Sequence, residues 1–240
     1  MALYSCGDIT HEYIYPENVN ISNANGEPVD SLSFFFPLKL NYKDSLIKTD
    51  LDTFDLMRYS SQLFPSKEPI LFNYYLGHEI YRFIWLQSFD NPIILTLNKK
   101  ADDIWLTIKK LDRQPEYIAT QVIQFVYPPK AGKPYDSTKK IDLDKYPIRQ
   151  PNRKAKLAVN RTKKLSEAEW NEFERILARV GYWEMSPTQR IIGIDGSQWI
   201  IEAHAEHKYW IVDRWSPEDD YKEAGLYLIN LSGLLNEEIN

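Results

Sequence analysis

Residues 201–210 read IEAHAEHKYW and place Glu202, His204 and His207 close together in the chain. Carboxylate and imidazole are common metal ligands, and a zinc site needs three or four of them around one centre. The same stretch alternates like a strand, and Glu206-His207 fits a two-residue reversal between Trp199–His204 and Lys208–Arg214. In that register residue 205 faces 208, 203 faces 210, 201 faces 212 and 199 faces 214. His204 then leaves along a strand while His207 sits in the turn, and His11 and His78 are far off in sequence. The expectation is a hairpin tip with no bound metal.

The hairpin offers a second constellation. Glu202 and Asp213 fall on one face, diagonally across the strands, where Cβ atoms lie about 7 Å apart. Paired carboxylates at that spacing can divide acid and base work on a glycosidic bond. The competing expectation is structural, each carboxylate meeting a Lys or Arg. A third constellation is Arg82 with Arg214, both set among apolar neighbours in strand-like stretches. A buried guanidinium needs a carboxylate or an anionic ligand. The ligand version is an anion pocket framed by Arg82, Arg214, Trp199 and Tyr81, with bidentate contacts. The structural version pairs an arginine with Glu79, Glu202 or Asp213 and stacks Arg214 on Trp199. The structural version is preferred in both cases.

These residues depend on the elements that carry them. Asp52–Phe64 is loosely helical through Phe54, Met57, Leu63 and Phe64, and Pro65 stops it. Glu79–Leu86, Ile93–Asn98 and Ile104–Leu111 read as a three-stranded meander, with turns at Asp90-Asn91-Pro92 and Lys100-Ala101-Asp102. The first strand sorts Tyr81, Phe83 and Trp85 from Ile80, Arg82, Ile84 and Leu86. Lys154–Leu165 alternates enough for another strand. Ser166 and Glu169 form a capping box ahead of a helix whose stripe is Trp170, Phe173, Leu177 and Val180, ended by Gly181. Ser216-Pro217-Glu218-Asp219 predicts the start of a last helix with Ser216 as cap and Tyr221, Ala224, Leu228 and Leu231 on its buried side. SFFFPLKL (residues 33–40) predicts a short edge strand, because Pro37 cannot donate to a ladder. The fold class expected is α+β: an antiparallel sheet, meander plus C-terminal hairpin, with two main helices packed on it. Residues 1–50 form a loop-rich arm, and residues 51–240 form a single domain.

Composition narrows the function classes. The chain has 240 residues, 43% hydrophobic, with a net charge of −5. That is ample for a core and gives no overall attraction to nucleic acid. Residues 130–164 hold 12 Lys and Arg against 3 Asp, a basic, Pro-interrupted connection. It can bind an anionic polymer or lie against the chain's own acids; without aromatic interleaving the second is favoured. No run of about 18 apolar residues is present, so no spanning helix is expected. The 16 Tyr, 10 Phe and 7 Trp fit a β-rich core better than an exposed recognition surface. A single cysteine, Cys6, excludes an internal disulfide. Its setting, Leu3-Tyr4-Ser5-Cys6-Gly7, matches the end of a lipoprotein signal without the apolar stretch that should precede it. A cytoplasmic protein is expected; an upstream start would instead allow an exported lipoprotein anchored at Cys6. The motifs of nucleotide binding, serine hydrolysis and zinc proteolysis are absent, so no cofactor is expected.

Two blocks carry a resemblance. One runs from Glu68-Pro69-Ile70-Leu71-Phe72-Asn73 through His78-Glu79-Ile80-Tyr81-Arg82-Phe83 to Trp85-Leu86. The other is Asp195-Gly196-Ser197-Gln198-Trp199, followed by Val212-Asp213-Arg214-Trp215-Ser216-Pro217. Together they resemble an uncharacterised bacterial protein family with Y-R-F-x-W-L early and D-G-x-x-W then V-D-R-W-[ST]-P late. The chain departs at Leu86-Gln87-Ser88-Phe89-Asp90, where relatives tend to read L-R-T-F-H, and at Glu206-His207, where an Asp-Gly turn is expected. The resemblance implies no catalytic residues. The functional expectation is a non-enzymatic binding or interaction module for a small molecule or protein partner, with an anionic ligand as one candidate. The alternative is a carbohydrate hydrolase using Glu202 and Asp213.

Overall fold

The computed structural model describes residues 12–115, 154–189 and 195–234. Cys6, His11 and most of the basic connection lie outside the described residues. The architecture is α+β, built on a six-stranded antiparallel sheet. A small hairpin, β1 (Lys39–Tyr42) and β2 (Ser45–Lys48), precedes helix α1 (Thr53–Leu63). The expected meander follows as β3 (Glu79–Gln87), β4 (Ile93–Lys100) and β5 (Asp103–Leu111), and β6 (Leu157–Lys164) adds to its outer edge. Helix α2 (Glu167–Arg179) leads to the hairpin β7 (Ser197–Ala205) and β8 (Lys208–Trp215), then to helix α3 (Tyr221–Ser232). The strand order is β6-β5-β4-β3-β7-β8, so the hairpin adds to the meander through β3.

The sheet is the middle of three layers, and its inner strands β3, β4 and β7 are accordingly buried on both sides. On one face, Trp170 and Phe173 of α2 pack on Tyr81, both at 5.2 Å between ring centroids. Helix α3 lies so close to the same face that a Cβ on Gly225 would collide with the rings of Trp199 and Phe83. The capping box of α2 forms as expected: Ser166 Oγ accepts from the Glu169 amide, and the Glu169 carboxylate accepts from the Ser166 amide.

The opposite face is covered by the segment read as an arm, together with α1. Tyr13, Phe35, Phe36 and Leu40 are buried in the same core as the sheet. Three local expectations change. The apolar run at 33–40 is not one strand: Phe35 and Phe36 are buried in irregular chain, the Phe35 amide donates to Ser60 Oγ at 2.9 Å, and pairing starts only at Lys39, beyond Pro37. Helix α1 buries Leu56, Tyr59 and Leu63 and leaves Phe54 and Phe64 exposed, because its inward face follows Tyr59. Ser216 does not cap α3. Its hydroxyl accepts from the Ser197 amide at 3.0 Å and its own amide donates to Ser197 O at 2.7 Å, closing the open end of the β7–β8 hairpin. The helix starts at Tyr221, and Leu231 is only partly covered. No helix among the described residues is long and apolar enough to cross a membrane.

Candidate functional site

The β7–β8 register matches the expectation, with Ala205 opposite Lys208, Ala203 opposite Trp210, Ile201 opposite Val212 and Trp199 opposite Arg214. The two imidazoles part. His207 stays exposed in the turn, its Nδ1 3.4 Å from Glu12. His204 is buried, with Nδ1 2.8 Å from the Leu71 carbonyl, while its Nε2 accepts from the Leu76 amide at 3.1 Å. Those partners select the Nδ1–H tautomer, and burial pushes its pKa down to about 3. His204 therefore ties the 71–76 loop to the hairpin. Among the described residues no group of three His, Cys, Asp or Glu is arranged around a common centre.

Parity within the sheet decides the arginine question. Arg82 of β3 stands opposite Glu202 of β7, on the face beneath the arm. Arg214 pairs with Trp199, and Tyr81 with Ala203, on the face beneath α2 and α3. The four residues proposed to frame an anion pocket are thus divided between opposite faces. Arg214 donates to the carbonyls of Asp213 at 2.8 Å and Ser186 at 2.9 Å, and its guanidinium lies over Tyr221 at 5.9 Å rather than on Trp199. Trp199 packs between Phe83 and Trp85, and the Tyr81 hydroxyl donates to Glu174 at 3.2 Å.

Arg82 is the centre of a buried ionic network. Its Nε donates to Glu202 Oε2 at 2.8 Å, and a second nitrogen makes a short contact with the same oxygen. Its remaining nitrogen donates to the Pro69 carbonyl at 2.7 Å and lies 3.5 Å from Glu68. Burial opposes the guanidinium charge, but Glu202 and Glu68 outweigh it and hold the pKa above the ordinary arginine range. Tyr209 completes Glu202 with a 2.6 Å hydrogen bond. Lys109 of β5 reaches Glu68 at 2.6 Å, Ser66 O at 2.9 Å and Lys67 O at 3.5 Å. Two acids and two bases meet, and their donors point at protein acceptors.

Asp213 shares the Glu202 face but not its partners. Tyr59 of α1 donates to it at 2.9 Å, and Gln198 makes a short contact on the other oxygen. Burial pushes Asp213 up to about 6, against the pull of those two hydrogen bonds. Both carboxylates are buried, and neither lines the cavity over β3–β5 or the hollow within the arm.

The network does reach an opening through Glu68 and Lys109. A cavity of about 350 Å³ lies over β3, β4 and β5 on the arm side. Its floor is Thr96, Asn98, Trp105 and Thr107, and Leu76 and His78 form one wall. The His78 ring stacks on Trp105 at 5.8 Å and an interplanar angle of 27°. His78 Nε2 is 3.2 Å from Asn98 Oδ1, and Asn98 Nδ2 donates to Thr96 O at 2.8 Å, which fixes that amide's orientation. The sequence signalled part of this floor, since Trp105, Thr107 and Lys109 alternate with buried Ile104, Leu106 and Ile108. Periodicity gave no sign of Glu68, which arrives from a loop. A second hollow of about 420 Å³ lies within the arm, walled by Val19, Ala24, Pro28 and Val29, and has no comparable ion pair. Comparison with known proteins finds no matching family model, no similar curated protein and no similar solved structure.

Proposed function

We propose that the protein is a non-enzymatic binding module whose small-molecule ligand occupies the cavity over β3–β5. One observation carries this reading: the buried Arg82–Glu202–Glu68–Lys109 network braces a cavity whose floor is polar and aromatic rather than sealed by apolar side chains. Its volume falls at the lower end of the roughly 300–1,000 Å³ typical of small-molecule sites, which also combine a rigid frame with a few fixed polar groups. His204 supports the wall at Leu76, so the hairpin and the cavity are mechanically joined. The two sequence blocks resembling the bacterial family fall largely on β3 and β7–β8, the strands that hold Arg82 and Glu202.

The hydrolase alternative draws no support from Glu202 and Asp213, which are buried and committed to separate protein partners. The test is a thermal-shift panel of saccharides, nucleosides, carboxylates, phosphate and amines, run on the wild type and on Thr107→Trp, whose indole fills the cavity. At saturation at least one class raises Tm by about 3 °C or more, and Thr107→Trp abolishes the rise. A rise that persists in Thr107→Trp, or no rise with any class, refutes the cavity as the site.

A further inference from the structure

We infer that the ligand of this cavity is an uncharged, polyhydroxylated molecule of mono- or disaccharide size; the inference rests on the cavity being a binding site. Charge is the first argument. An anion needs free cationic donors, and the structure commits them elsewhere. The ammonium of Lys109 points at Glu68 and the carbonyls of Ser66 and Lys67. The guanidinium of Arg82 is shared among Glu202, Glu68 and the Pro69 carbonyl. A cationic ligand fares no better, because the Glu68 carboxylate already faces both of those charges. An ion entering here would lose water and find no uncompensated partner.

What the cavity offers instead is neutral hydrogen-bonding capacity. Thr107 projects from the middle of the floor, and among the described residues its hydroxyl has no partner. Glu68 accepts from Lys109, Arg82 and Thr96, and since a carboxylate presents about four acceptor sites, one is left for a ligand hydroxyl. Asn98 Oδ1 is held towards His78 by its own amide's bond to Thr96 O. Acceptors fixed in place, a hydroxyl free to turn and a half-buried indole suit a ligand with several hydroxyls and one apolar face. Trp105 supplies the flat surface, and the His78 stack sets its orientation.

The experiment is titration calorimetry on the whole chain, backed by thermal shift. The probes are glucose, galactose, N-acetylglucosamine, maltose and cellobiose, set against inorganic phosphate, citrate and spermidine. The expected result is saturable binding of at least one sugar. Affinity should fall at least tenfold in Thr107→Trp and in Trp105→Ala, with circular dichroism unchanged. Phosphate, citrate and spermidine should give no heat that depends on Thr107. Binding of a charged probe that Thr107→Trp removes would overturn the ligand class while leaving the cavity intact as a site. Absence of Thr107-dependent binding by every probe would overturn both.

Discussion

Glu202 and Asp213 stand on one face of one hairpin and are both buried, yet the protein treats them differently. Glu202 is met by a guanidinium and a phenol and belongs to a network that ends at a cavity. Asp213 is met by a phenol and a carboxamide and lies beneath α1. An ionised carboxylate can be kept in the interior when a cation is buried with it. Burial raises the pKa of both carboxylates; at Glu202 the Arg82 charge and the Tyr209 hydrogen bond oppose it, whereas at Asp213 the main opposition is two neutral hydrogen bonds, and Asp213 is pushed up to about 6. At the Glu202 end charge is a framing material; at the Asp213 end it is a cost tolerated for packing.

The largest expected effect breaks the framing end. Arg82→Ala leaves Glu202 and Glu68 facing each other without their shared cation, and should lower stability by about 3–5 kcal/mol in urea unfolding. Asp213→Ala, which removes a costly charge along with its hydrogen bonds, should cost clearly less.

A smaller effect sharpens the contrast through pH. His204 has a depressed folded pKa, so its contribution is present above about 6.5 and is lost as pH falls towards 3. Asp213 has a raised folded pKa, so its contribution is present below about 3.8 and is lost as pH rises through 6. Between pH 7 and pH 5 the first costs about 2 kcal/mol and the second returns about 1 kcal/mol. Asp213→Asn removes the return, so its stability should fall by about 1 kcal/mol more than the wild type over that interval. Nitrogen-detected NMR should still show His204 as the neutral Nδ1–H tautomer at pH 5. Parallel pH profiles for Asp213→Asn and wild type, or an imidazolium at pH 5, would erase the contrast.

How much of this was legible depended on whether the information was local. Strand alternation and a two-residue gap suffice to pin the β7–β8 register, and with it the parting of His204 and His207. The capping box at Ser166 and Glu169 was equally local. The grouping of Arg82 with Arg214 was not, because parity across β3 and β7 depends on which strands are neighbours, and a one-residue slip reverses every side chain. Once β3 lies beside β7, Arg82 must share a face with Glu202 and oppose Trp199. Glu68 and the Leu76–His78 wall come from a loop with no period to read. At Ser216 two local signals competed, and closure of the hairpin prevailed over the helix cap.

The central claim is that Arg82 and Glu202 are each other's structural partner, leaving the cavity free of unpaired charge. A double-mutant cycle with Arg82→Met and Glu202→Leu, followed by urea unfolding, tests it most directly. The account predicts that each single variant is destabilised by several kcal/mol, that the double variant is more stable than either, and that the coupling is about 2 kcal/mol or more. Additive losses, with the double variant the least stable of the set, would contradict it.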